Sequence, residues 1–209
     1  MANTATSIYL DGTTDDYIET GISFASYGGE FTFEGWFKPE RNTTREGLFG
    51  SGTTDDIQIE FQADNDLQFF MRKADGTSYG CNFVVAAADI APKQAWQHIA
   101  FARIGDRGVI FHNGVLKGME GSYSMDSHPS DMSDIRVGNY AGSLNFKGWM
   151  DGVRISKTAR YGNIDMPTTF VGTTQTAGRG KNALRPEHVS FLIQSNSTVT
   201  TSDTIVDRT

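Results

Sequence analysis

The stretch of sequence that decides the fold is Trp149-Met150-Asp151-Gly152-Val153-Arg154-Ile155-Ser156-Lys157-Thr158-Ala159-Arg160-Tyr161. In an extended strand, alternate side chains point to opposite faces of the sheet. This alternation predicts one apolar face made of Trp149, Val153 and Ile155. The opposite face is predicted to carry Met150, Arg154 and Ser156. Such a strand is typical of a sheet that has one face on a hydrophobic core.

Short runs of the same type recur along the chain, and turn residues separate them. Strands are predicted at residues 7–10, 17–18, 31–38, 57–62, 67–71, 96–103, 109–112, 115–116, 135–138 and 189–193. The pair Asn113-Gly114 is a strong hairpin signal, because a type I′ turn needs positive φ at both central residues. With 23 Gly and 14 Phe, the composition is also that of a turn-rich β protein. We therefore predict an all-β fold.

Six segments, taken in order, resemble the laminin G-like pattern of the concanavalin A-like lectin/glucanase superfamily. They lie at residues 8–18, 31–39, 96–103, 113–116, 135–138 and 149–156. The resemblance implies an antiparallel jelly-roll β-sandwich in which the terminal strands lie close together, so the last strand is expected to pair near residues 8–10.

The same resemblance divides the chain into three parts. We expect the main body of the sandwich at 1–161, an extended loop or arm at 162–188, and a C-terminal strand and tail at 189–209 that complete the same domain. For the arm, contact with a partner and a plain solvated linker are both open interpretations.

Charge and composition exclude several classes of function. The chain has 18 basic and 25 acidic residues, a net charge of −7, whereas nucleic-acid binding needs a basic surface. No stretch is apolar enough to insert into a membrane, and residues 1–6 lack the pattern of a signal peptide. The single cysteine excludes an internal disulfide. We therefore expect a protein made in a reducing cytoplasm without an export signal.

Catalytic chemistry is not indicated. A glycosidase of this fold needs two carboxylates that flank the scissile bond. Glu60 is the only acid in the predicted strand 57–62, so we predict that the protein is not an enzyme. The histidines are His98, His112, His128 and His188. They lack the spacing of a zinc site, and we expect His98 to be structural.

Calcium is the one cofactor that the resemblance makes plausible. The oxygen-rich loops that would bind it are Asp15-Asp16, Asp55-Asp56 and Asp64-Asn65-Asp66. The alternative is that these residues form ordinary Asx turns that cap hairpins.

Two functions remain open. In the first, the chain is a carbohydrate-binding, lectin-like module of a bacterial cell-surface protein, and Trp36, Tyr140 or Trp149 stacks on a sugar ring. In the second, it is a non-enzymatic virion protein, since residues 155–161 at the end of the quoted stretch resemble laminin G-like domains of tailed bacteriophages.

We favour the virion function, which implies a capsid decoration, cement or knob-like protein, or a small tail accessory, made in the host cytoplasm. Its partners would be the major capsid protein or tail proteins, with host surface glycans as a further ligand. Assembly as a homo-oligomer is open.

Overall fold

The structure is a computed structural model that describes residues 7–22, 29–40, 44–52, 57–72, 79–87, 94–105, 107–120, 134–141, 143–161 and 189–193. Within these ranges, every element of regular structure is a β-strand. No helix formed by these residues is long and apolar enough to cross a membrane. The strands are β1 (Ile8–Asp11), β2 (Ile18–Glu19), β3 (Phe31–Pro39), β4 (Glu46–Ser51), β5 (Ile57–Phe61), β6 (Leu67–Arg72), β7 (Tyr79–Val85), β8 (Gln97–Ile104), β9 (Arg107–His112), β10 (Val115–Glu120), β11 (Ile135–Val137), β12 (Lys147–Ser156) and β13 (Val189–Ile193).

The strands form two antiparallel sheets. The seven-stranded sheet has the order β1-β12-β3-β8-β9-β10, and β13 also pairs with β12. The six-stranded sheet has the order β2-β11-β4-β5-β6-β7. Five neighbouring pairs, namely β1-β12, β12-β3, β3-β8, β2-β11 and β11-β4, join strands that are not consecutive in the sequence, as in a jelly roll. The predicted all-β, antiparallel jelly-roll sandwich is therefore confirmed.

Phenylalanine dominates the core between the sheets. Phe31, Phe33 and Phe37 alternate along β3 and are completely buried, as the sequence predicts. Phe33 and Phe37 meet Phe49 of the other sheet edge-on, with ring centroids 5.5 and 5.7 Å apart. Edge-to-face contacts are favourable for aromatic rings. These contacts bind the two sheets to each other.

The hairpins follow the turn signals of the sequence. Asn113 and Gly114 join β9 to β10 with φ angles of 49° and 79°, which a type I′ turn requires. The predicted hairpin of β5 and β6 is also present.

The predicted faces of β12 are wrong at the beginning of the strand. A β-bulge lies between Asp151 and Arg154, and Gly152 there has a φ of 57°. One extra residue in a strand shifts the alternation by one position, so the inward-facing positions before the bulge are out of phase with those after it. Met150 is therefore completely buried in the core. Trp149 lies on the outer face, on the same side as Arg154.

The first and last strands share one edge of β12. β1 pairs with its beginning, from Lys147 to Met150, and β13 with its end, from Val153 to Ser156. The last strand thus lies near residues 8–10, as expected, but its hydrogen-bonding partner is β12. The arm at 162–188 and the tail from residue 194 onward lie outside the described residues. The division of the chain into three parts stays a prediction.

Candidate functional site

Aromatic side chains gather at one end of the outer face of the seven-stranded sheet. Trp149 of β12 lies between Tyr9 of β1 and Lys38 of β3. Trp36 is two residues before Lys38, on the same face of β3. Because the intervening Phe37 is buried in the core, these four side chains point away from it.

Trp96 joins this group from the position directly before β8. The pair Phe37–Gln97 ends the register of β3 with β8, so the next position brings Trp96 beside Lys38. The side chains of Trp96 and Tyr9 are 40% and 43% exposed. The chain has three tryptophans, and all of them lie at this end of one sheet face. We call Tyr9, Trp36, Trp96 and Trp149 the tryptophan surface.

Neighbouring side chains fix the indole of Trp149 at the centre of this surface. Its ring centroid is 4.9 Å from that of Tyr9, with the ring planes at 52°. Lys38 Nζ lies over the indole, 4.9 Å from the ring centroid. A cation in this position is attracted by the π electrons of the ring.

Beside Trp149 the surface opens into a depression of about 530 Å³. Its lining consists of Lys38, Pro39, Glu40, Gln94, Lys147 and Trp149. The Tyr9 hydroxyl donates a hydrogen bond of 2.9 Å to Glu40 Oε2, and Lys147 Nζ lies 3.8 Å from the same oxygen. The depression thus combines one flat aromatic ring, that of Trp149, with hydrogen-bond donors and acceptors. That composition is typical of a small-molecule site.

The chain itself covers the other end of the same sheet face. Residues 157–161, which we call the strap, cross it from β12 towards β9. Thr32 Oγ1 of β3 donates a hydrogen bond of 2.8 Å to Thr158 O and accepts one of 3.0 Å from Arg160 N. The Tyr161 ring packs on β9. The strap therefore covers this face beside β3 and β9, beyond the tryptophan end.

A buried carboxylate fastens the strap to the sheet. Glu34 is 1% exposed, and its Oε1 lies 2.7 Å from Arg160 Nε and 2.5 Å from Arg154 Nη2. The Tyr161 hydroxyl donates a hydrogen bond to Oε2. Burial raises the pKa of Glu34, but the two guanidinium groups and the other neighbours together hold this pKa below its usual value. Glu34 is therefore ionised at neutral pH. We call these four residues the Glu34 cluster.

His98 connects the Glu34 cluster to the tryptophan surface. Its ring centroid is 5.2 Å from that of Trp36, and its Nε2 lies 3.7 Å from Glu34 Oε2. Burial lowers the pKa of His98 more than the nearby carboxylate raises it. The imidazole is therefore neutral at neutral pH and serves as packing beneath Trp36, which agrees with the structural role expected for it.

Removing the Tyr161 hydroxyl is expected to destabilise the protein by about 1.5–3 kcal/mol, since a hydrogen bond to a buried charge is lost. The change is Tyr161→Phe, and urea unfolding measures it. Tyr17→Phe is the matched control, because its hydroxyl donates at 3.4 Å to the exposed Glu19. The control should cost about 0.5 kcal/mol or less. Equal losses in the two variants would contradict the role given to Tyr161.

The structure brings together two of the three aromatic residues that the sequence suggests for ligand binding. Trp36 and Trp149 are neighbours, whereas Tyr140 lies elsewhere. A Cβ placed on Gly50 would be 2.8 Å from the Tyr140 Cβ, and Gly50 pairs with Gln58. Gly50 and Gln58 face outward from the six-stranded sheet. Tyr140 therefore packs over the opposite side of the sandwich and is only 9% exposed.

The described acidic loops hold backbone N–H groups. Asp64 Oδ1 accepts a hydrogen bond of 3.2 Å from Asp66 N, and Asp66 Oδ1 accepts one of 2.7 Å from Ala87 N. The Asp16 carboxylate accepts one from β1. The first of these contacts has the spacing of an Asx turn, whereas the other two join segments more distant in the sequence. Where the chain is described, it has no group of three or more His, Cys, Asp or Glu placed to hold a metal. Asp55-Asp56 lies outside the described residues.

A family model of the laminin G type, described as the Concanavalin A-like lectin/glucanases superfamily, matches residues 3–162. Among curated proteins, none matches the sequence.

Solved structures of other proteins have the same fold. A putative carbohydrate binding protein from Bacteroides ovatus ATCC 8483 is 15% identical with a TM-score of 0.62, over 97% of this chain and 54% of that chain. The CBM40 of the Ruminococcus gnavus IT-sialidase is 14% identical with a TM-score of 0.51, over 69% of this chain and 85% of that one. The SAP-like pentraxin from Limulus polyphemus is 14% identical with a TM-score of 0.52, over 76% of this chain and 79% of that one. The chain thus spans about half the length of the Bacteroides protein. The two-sheet sandwich and the family match over most of the sequence show that the chain belongs to the concanavalin A-like lectin/glucanases superfamily.

Proposed function

We propose that this protein is a carbohydrate-binding domain without catalytic activity and that the tryptophan surface is its binding site. The observation that carries the proposal is the gathering of all three tryptophans at the open end of one sheet face. Aromatic rings pack on the apolar faces of sugars, while polar groups beside them bind the hydroxyls. Both kinds of group line the depression next to Trp149.

Proteins of the same fold support this proposal. One is described as a putative carbohydrate binding protein, and the CBM40 of the Ruminococcus gnavus IT-sialidase has been solved with α2,3 sialyllactose. Carbohydrate binding, the alternative that the sequence left open, is therefore the better supported of the two functions.

The buried carboxylates support the absence of catalysis. Glu34 and Glu60 lie on the outer faces of different sheets, so they cannot flank one glycosidic bond. Each is already paired, since Glu60 Oε1 accepts hydrogen bonds of 2.7 and 3.0 Å from Arg45. Neither carboxylate has the surroundings of a proton donor or a nucleophile.

Binding to a glycan array tests the proposed function. We expect the wild-type protein to give signals that Trp96→Ala and Trp149→Ala each reduce about tenfold or more, since each variant removes a stacking ring worth about 1.5–3 kcal/mol. Val84→Ala is the matched control, because Val84 is an exposed apolar side chain of the other sheet, 46% exposed. Thermal unfolding confirms that each variant is folded. Binding that both tryptophan variants leave unchanged would refute the assignment of the site.

The virion role stays a prediction that rests on the resemblance of the sequence alone. Sedimentation of the protein with intact phage particles would support it. Recovery of the protein only in the free fraction of a lysate, or only on the host surface, would overturn it.

A further inference from the structure

We infer that the site takes an uncharged oligosaccharide that lies across the strands and contacts Trp149 and Trp96 at once. This inference rests on the proposed function and adds the length and charge class of the ligand.

The order of the strands sets the direction of the ligand. Trp149 belongs to β12, Lys38 to β3, and Trp96 precedes β8, and these three strands are consecutive in the sheet. The Cα atoms of the two tryptophans are thus two inter-strand spacings apart, about 10 Å, with Lys38 between them. One sugar ring is too small to contact both, whereas an oligosaccharide can. Lys147 of β12, Glu40 directly after β3 and Gln94 before β8 all line the depression, which therefore spans the same three strands.

The strap closes the alternative direction. A ligand that ran along the strands from Trp149 would pass Trp36 and then meet the Glu34 cluster. There Arg160 and Tyr161 are buried against the sheet, so the sheet surface itself is covered. Among the described residues, the strap leaves the direction across the strands, parallel to the strap itself, for a chain of sugars.

The described residues around the depression carry no excess of positive charge. Lys147 lies 3.8 Å from Glu40 and opposite Asp11 in the register of β1 with β12. Lys38 rests on the indole of Trp149. Two lysines thus face the carboxylates of Glu40 and Asp11, and Asp151 lies opposite Trp36 in the register of β12 with β3, so the described residues have no excess of positive charge here in a chain of net charge −7. An anionic sugar would find no surplus of positive charge to bind, and the net negative charge of the protein would repel it. Hydroxyl groups, in contrast, find both donors and acceptors.

A glycan array tests the charge class. The probes are glucose-, galactose- and mannose-based series from single sugars to hexasaccharides, together with sialylated, uronate-containing and sulfated glycans at equal density. We expect the strongest signals from neutral oligosaccharides. Their affinity in solution should change by about twofold or less when the salt concentration is raised, because no ion pair forms. Strongest signals from acidic glycans would overturn this inference and leave the proposed function standing. An array without any signal would overturn both.

Calorimetric titration tests the contact with both tryptophans. The probes are the best neutral oligosaccharide of the array and its parent monosaccharide. We expect the oligosaccharide to bind about tenfold more tightly than the monosaccharide, and Trp96→Ala to abolish this difference. If the Trp149→Ala variant of the glycan-array experiment does not fold, Trp149→Phe replaces it there, because phenylalanine keeps a smaller ring at this position. Val84→Ala should retain the full difference. Equal affinities for the two sugars, or a Trp96→Ala variant that retains the difference, would overturn the inference.

Discussion

Replacing Glu34 with alanine is expected to lower the free energy of unfolding by about 3–5 kcal/mol. The variant leaves the guanidinium groups of Arg154 and Arg160 beside the sheet without the carboxylate that they share. Arg160 is itself buried, so its charge would be left largely shielded from bulk water. Urea unfolding of Glu34→Ala measures the effect.

Glu19→Ala is the control for this experiment. Glu19 is an exposed glutamate whose carboxylate lies 4.0 Å from Arg136, and removal of such a surface pair should cost about 1 kcal/mol or less.

Because the pKa of Glu34 is lowered on folding, the contribution of Glu34 to stability is present above the unfolded pKa of about 4.3 and is lost as the pH falls through the lower folded value. The gap between wild type and Glu34→Ala should therefore narrow in acid. A gap of less than about 1 kcal/mol at neutral pH would contradict the role of Glu34.

Gly148→Ala is expected to destabilise the protein by about 2–5 kcal/mol and to weaken glycan binding. Gly148 has a φ of 146°, and a Cβ there would lie 2.2 Å from Lys38 O on the neighbouring strand. The backbone pairing of β12 with β3 must shift to accept it. Because Trp149 and Lys38 lie at that pairing, the tryptophan surface would shift as well. Urea unfolding and the glycan array measure the two effects.

Gly105→Ala separates the clash from the backbone strain. Gly105 also has a positive φ, 58°, but a Cβ there would meet no atom within 4 Å. This variant should cost only the strain, about 1–2 kcal/mol, and leave binding unchanged. A Gly148→Ala variant no less stable than Gly105→Ala would show that the close approach to Lys38 is tolerated.

The sequence predicts those parts of the fold that depend on local alternation and on turn chemistry. The phenylalanines of β3 and the Asn113-Gly114 hairpin are examples. The sequence does not predict β4, because glycines interrupt the alternation of its side chains. These glycines are required by contacts with residues that are distant in the sequence. A Cβ on Gly47 would lie 2.8 Å from Leu144 O, which comes from a loop about a hundred residues later in the chain.

Half of the candidate site could also be predicted. Trp36 and Trp149 are identified by residue type, but the face assigned to Trp149 was wrong because the bulge at Gly152 reverses the alternation. Trp96 is not among the predicted residues. It lies two residues before His98, and therefore on the same face of the strand as the histidine that packs beneath Trp36. Its proximity to Trp149 depends on β3 lying between β12 and β8. That order is set by long-range pairing, which no local pattern encodes.

Because β1 and β13 pair with the same edge of β12, the first and last strands lie end to end. β1 and β13 run in the same direction there, and the last residue of β13, Ile193, pairs with Val153, while the first of β1, Ile8, pairs with Met150. The two strands therefore follow each other as one composite strand with a short break. A linker of a few residues between Ile193 and Ile8 would bridge that break, so the fold permits circular permutation with new ends at an exposed turn.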